Sequence, residues 1–180
     1  MSAPPATRPD FGQQFQEDEI PTHTGSNVTR YLGVVVALGL ALLAALALFI
    51  SPADIRQGDV VRIMYIHVPS ATTMYYGFGL CGIASAMYLW KRTEFWDLLA
   101  GAAAEVGLVF AGLTLATGAI WGRPTWGVYW VWDARLTSTL LLFVLFLGYV
   151  AVRRLQMDPE VRAKRAAIVA LFAVLSLIHI

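Results

Sequence analysis

Twenty consecutive residues from Tyr31 to Ile50 carry no charge, and no other feature of the chain restricts its fold as much. At 1.5 Å per residue the run makes a helix of about 30 Å, the thickness of the hydrocarbon core of a bilayer. Similar runs follow at about Val68 to Trp90, Leu98 to Trp121 and Leu136 to Val152, with Glu105 their single charge. A segment in hydrocarbon must satisfy its own backbone hydrogen bonds, so each run is expected to be a helix. Hydrophobic residues make up 58% of the chain and charged ones 14%, well away from the balance of a soluble domain. The expected fold is therefore all-α, a polytopic transmembrane helix bundle with five apolar segments. The fifth, Ala166 to Ile180, has fifteen residues. That is about 22 Å of helix, too little for a typical crossing. A C-terminally truncated sequence is the expected explanation.

Two domains follow from composition. Residues 1–30 hold several Pro and most of the Gln, together with the acidic run Glu17-Asp18-Glu19. They lack hydrophobic periodicity and read as a disordered cytoplasmic tail, with a short interfacial turn near Phe11 and Phe15 and a solvated His23. Residues 31–180 form the membrane domain. Within it Ser51-Pro52 ends the first span, and Pro69 is expected in the first turn of the second, where its missing N–H is not needed. Gly77, Gly79 and Gly82, and the stripe Ala103, Gly107 and Ala111, would let helices approach closely. Cys81, the one cysteine, has no partner for a disulfide and reads as packing.

Lysine and arginine orient the spans. With a cytoplasmic N-terminus, that side carries nine of the thirteen, including Lys91, Arg92, Arg153, Arg154, Arg162, Lys164 and Arg165. The other carries Arg56, Arg62, Arg123 and Arg135. The tail is then inside. His67, the connection after the third span and the chain end with His179 all face outward.

That connection, Trp121 to Arg135, holds four of the six tryptophans: Trp121, Trp126, Trp130 and Trp132, with Tyr129 among them. Trp and Tyr favour the membrane–water boundary, and such a belt accounts for one or two rings per span end. Four in one short loop, with Arg123 and Arg135 near its ends, read as a built surface for a large flat apolar ligand. Neutral imidazole is a good axial ligand for haem iron, which makes His67 the candidate metal ligand. Arg123 and Arg135 could pair with the propionates of a haem or snorkel toward lipid headgroups. Asp133 could cap the fourth span or orient a ring nitrogen or Arg135. Glu105, inside a span, is a functional candidate by default. It could also be a packing residue hydrogen-bonded to Thr72, Thr73 or Ser85. No nucleophile–base pair, phosphate loop or zinc spacing is present, so no enzyme is expected, and a net charge of +1 gives no reason to expect nucleic acid.

WGRPTWGVYWVWDARLTS closely resembles the tryptophan-rich WWD segment of haem-handling membrane proteins, specifically the CcmC family of cytochrome c maturation. LATGAIWG and MYIHVPSA resemble that family too, and the resemblance covers residues 31 to 170. It implies six spans in the bacterial inner membrane, the Trp-rich loop periplasmic, and one haem, read as haem b. Presentation of that haem to the chaperone CcmE, alongside CcmA, CcmB and CcmD, follows from the same resemblance. His67 matches the first axial histidine; Trp121, Trp126, Trp130, Trp132 and Asp133 match the Trp-rich segment, and Tyr129 replaces a further Trp. LSLIHI lacks the family's Pro, and His179 comes two or three residues early for the second ligand. Two other classes are open from the residues alone. One is a solute or proton transporter subunit using Glu105, the other a structural subunit of an export complex.

Overall fold

The computed structural model describes residues 26–155 and 158–179, the last two by backbone alone. The expected tail, with Phe11, Phe15 and His23, lies almost wholly outside the described residues. Helix α1, Asn27–Ala45, begins inside the stretch expected to be tail and continues as a single π-helical stretch, Leu46–Ile50. The chain divides into two compact units, Met1–Ala44 and Ala45–Ile180. The first, where described, is α1 alone. In the second a 3-10 helix, Asp59–Ile63, leads into α2, Met64–Lys91, followed by α3, Glu94–Trp126, α4, Ala134–Arg153, and α5, Pro159–Leu175. A last 3-10 turn covers Ser176–His179.

The expected all-α bundle is what forms. α2 packs along α3, α3 on α4, α4 on α5 and α5 back on α2. Among the described residues, three helices are long and apolar enough to cross a membrane: Asn27–Ile50, Glu94–Trp126 and Ala134–Arg153. α2 has the length, but its Tyr, Ser, Thr and Gly residues dilute its hydropathy. Several of them face protein instead of lipid, since Ser70, Gly77, Gly82, Ser85 and Tyr88 are all buried.

The tightest joint is between α2 and α3. A Cβ built on Gly77 would stand 2.8 Å from the Cα of Gly107, so the two backbones touch. One on Gly107 would strike the ring of Phe78 at 2.6 Å. The stripe Ala103, Gly107 and Ala111 is buried throughout. Phe78 then stacks on Phe146 of α4, centroids 3.8 Å apart, and Phe146 leans on Tyr149. Cys81 is buried in this core, 3.9 Å from the hydroxyl of Ser85.

Two local expectations are corrected, and one of the two readings left open for Glu105 is set aside. Pro69 is the sixth residue of α2, not in its first turn, because the 3-10 helix runs straight into α2 and moves the start back to Met64. The Trp-rich stretch is not all loop: α3 continues through Pro124 to Trp126 and ends at Gly127, whose φ of 79° closes the helix with an N–H bond to the carbonyl of Arg123. Glu105 is not a packing residue. It is exposed on α3, while Thr72 and Thr73 donate to their own helix at Val68 and Pro69.

The end of the bundle away from Trp121 is fastened by charge. Arg153 of α4 forms a bidentate pair with Asp97 of α3, at 2.5 and 3.1 Å, with the side chains 18% and 14% exposed. Gly101 makes room for it, since a Cβ there would lie 3.0 Å from the guanidinium. Arg92 reaches Glu160 of α5 at 3.5 Å. Removing one partner of a sheltered ion pair costs about 3–5 kcal/mol, whereas losing a helix N-cap costs about 1 kcal/mol. Asp97→Ala is therefore expected to lower the unfolding midpoint in detergent several times more than Asp133→Ala, the N-cap of α4. Equal shifts in a thermal melt would contradict this account of the closed end.

Candidate functional site

Helical spacing assembles the site. On α2, His67, Ala71, Met74 and Tyr75 lie at offsets of four, seven and eight, and on α3 Thr114, Gly118 and Trp121 lie at offsets of four and seven. Such residues share one face of a helix. The two faces meet at the end of the bundle where α2 begins and α3 finishes. α4 adds Arg135, Leu136 and Thr139 from its first turns, and Trp126 returns over the gap. Together with Leu115 they line a mostly apolar cavity of about 160 Å³.

His67 is half-buried at its wall. Its Nδ1 lies 2.9 Å from the hydroxyl of Thr117, and a Cβ on Gly118 would come within 3.1 Å of its Cε1. Trp121 donates its indole N–H to Oε1 of Gln57 at 3.0 Å, which ties the α1–α2 connection to the Trp-rich segment. Asp54 shapes that connection by accepting from the N–H groups of Arg56 and Gln57, both at 2.8 Å. Trp126 meets Trp121 edge to face, centroids 5.5 Å apart, and the Arg135 guanidinium lies 5.9 Å from a Trp126 ring centroid.

Of the nine residues expected at the site, His67, Trp121, Trp126 and Arg135 line this cavity. The other five are not among its lining residues. Arg123 holds the carbonyl of Gly127 and covers Tyr129, 5.6 Å from its centroid. Asp133 caps α4 by accepting from the Leu136 N–H at 2.7 Å, and it stands 4.0 Å from Arg135. Trp130 and Trp132 pack edge to face at 5.6 Å. The Trp130 indole N–H is buried without a hydrogen-bond partner among the described residues. Tyr129 and Trp132 keep 60% and 75% of their surface exposed, an apolar area beyond the cavity itself. The side chain of His179 lies outside the described residues, and Glu105 lines neither this cavity nor the one at the charged end.

Sequence reasoning missed Tyr75, Gly118 and Thr117. A signal for Tyr75 and for Thr117 existed. Tyr75 is eight residues beyond His67, on the same helical face, and Thr117 is four before Trp121 inside LATGAIWG. What the sequence lacks is the pairing of those two faces.

The donor set fits a haem. It offers one imidazole at the edge of an apolar cavity, indole rings, an arginine, and a buried indole N–H with no acceptor among the described residues. The cavity alone is below the 300–1,000 Å³ or so that encloses a drug-sized ligand. A macrocycle would thus depend on the exposed rings as well as on the cavity.

Comparison with known proteins bears on the same residues. The family model described as "Heme exporter protein C" (CcmC) matches residues 13–180. A "Heme exporter protein C" of Bradyrhizobium diazoefficiens is 41% identical over 161 residues, covering 84% of this chain and 61% of that protein. One from Haemophilus influenzae is 42% identical over 147 residues, covering 81% and 59%. A "cytochrome c biosynthesis ccmC-like mitochondrial protein" of Marchantia polymorpha is 36% identical over 132 residues, covering 72% and 58%. The chain thus spans about 60% of the length of these relatives. With three helices apolar and long enough to cross a bilayer, it is a multi-pass membrane protein, and it belongs to the CcmC, heme exporter protein C, family.

Proposed function

We propose that this chain binds haem b at the periplasmic face of the bacterial inner membrane and hands it to the chaperone CcmE during cytochrome c maturation. CcmA, CcmB and CcmD are its proposed companions. The observation that carries this reading is the shared cavity: His67, Trp121, Trp126 and Arg135, spread over almost seventy residues of sequence, line one small apolar space. An imidazole there can give a nitrogen lone pair to iron. The indoles offer flat apolar area to a porphyrin, and Arg135 and Arg123 are cations for its propionates. Haem is the cargo, and the protein performs no turnover of its own. The lysine and arginine bias supports a periplasmic site, since Arg123 and Arg135 belong to the poorer side.

Purified protein is expected to show a Soret band that falls at least tenfold in His67→Ala at equal protein concentration. Unchanged haem content in that variant would remove His67 as a ligand. Two substitutions separate the remaining classes. Under haem handling, Trp126→Ala abolishes cytochrome c maturation in cells and Glu105→Gln is mild. The opposite ranking would favour a transport path through Glu105. Replacing Trp126 and Trp130 together by Phe keeps apolar area but loses the indole N–H groups. Full maturation with both present as Phe would reduce the tryptophans to an interfacial belt.

A further inference from the structure

The hydrogen bond between His67 and Thr117 has a direction, and it decides which imidazole nitrogen is available. A threonine hydroxyl carries one proton. Thr117 places its own at 2.6 Å from the carbonyl of Leu113, one turn back on α3, with the Thr114 carbonyl as a second acceptor at 3.3 Å. In a helix those carbonyls can only accept, so the proton is committed to them. What the Thr117 oxygen has left for His67 is a lone pair. At 2.9 Å it is placed to accept, with the imidazole donating from Nδ1. That arrangement corresponds to the Nδ1–H tautomer, in which Nε2 keeps its lone pair.

We propose that Thr117 is a positioning residue for His67: by accepting from Nδ1–H, it holds the imidazole in the one neutral tautomer whose Nε2 can ligate iron. Gly118 completes the device. The Cε1 edge of the ring lies where a Cβ would be 3.1 Å away, so a larger residue would push the imidazole off α3 and away from Thr117. A ligating histidine commonly has its other ring nitrogen fixed this way, and disturbing that partner typically lowers metal affinity 10- to 100-fold. Here the partner is a hydroxyl already engaged with its own helix. Its acceptor direction is thus set by the backbone of α3.

The ligand half of this inference rests on the proposed haem reading; the tautomer half does not, and the two can be tested apart. The full chain, labelled with 15N-histidine in detergent and free of haem, reports the tautomer directly by NMR, the His67 signals being those lost in His67→Ala. Wild-type protein and Thr117→Ser are expected to show a protonated Nδ1 and a bare Nε2. Thr117→Val, nearly the same shape without the acceptor, is expected to show loss of that preference. In haem titrations Thr117→Val should weaken binding 10- to 100-fold, and Thr117→Ser should restore it. A protonated Nε2 in wild-type protein, or the same tautomer in Thr117→Val, would overturn the proposal. A tautomer that responds to Thr117 as expected, with haem binding unaffected by His67→Ala, would leave Thr117 its hold on the ring and remove the haem reading instead.

Discussion

The contact of Gly77 with Gly107 sets the register for everything at the cavity end. α2 and α3 run antiparallel, and at this point nothing larger than hydrogen separates their backbones. From Gly77, ten residues back along α2 reach His67; from Gly107, ten residues forward along α3 reach Thr117. Each step is about 15 Å of helix, in the same direction in space. The hydrogen bond between His67 and Thr117 is thus a consequence of where the two glycines meet. Close helix approach through small residues is the main attractive device in a bilayer, where burial of apolar surface gives no advantage over contact with lipid.

Much of this could be seen in the sequence. The apolar runs, the small-residue stripe, the Asp133 cap and the concentration of rings after the third span all have local signatures. They depend on a helix repeat, a capping geometry and composition. What could not be seen was the partnership of faces. His67 and Thr117 are fifty residues apart, and no local rule says which α3 turn α2 will rest on. The end of α3 is hidden from local rules for a related reason. Pro124 does not end α3, which runs on to Gly127, three residues later, where a positive φ closes it. Glu105 was a polarity signal without a direction, and the fold turned it outward.

The Trp-rich segment divides into two parts with different tasks. Trp121 and Trp126 belong to the last turns of α3 and are held there, one by Gln57 and the other beneath Arg135. Tyr129, Trp130 and Trp132 belong to the short non-helical stretch before Asp133 and remain outside the cavity lining. Rings on a helix give a fixed wall, and rings on a connection give surface that can adjust.

The bidentate Arg153–Asp97 pair stands at the end of the bundle remote from that wall, and its effect reaches beyond the strength of two hydrogen bonds. It makes the molecule mechanically lopsided. One extremity is clamped by ions across α3 and α4 and again across α2 and α5. The other is crossed mainly by single neutral hydrogen bonds, and each of its two long helices carries a proline there, Pro69 and Pro124, without being broken by it. Local opening concentrates where the fewest bonds must break. By that rule, local opening of this bundle is expected at the cavity before the clamped extremity.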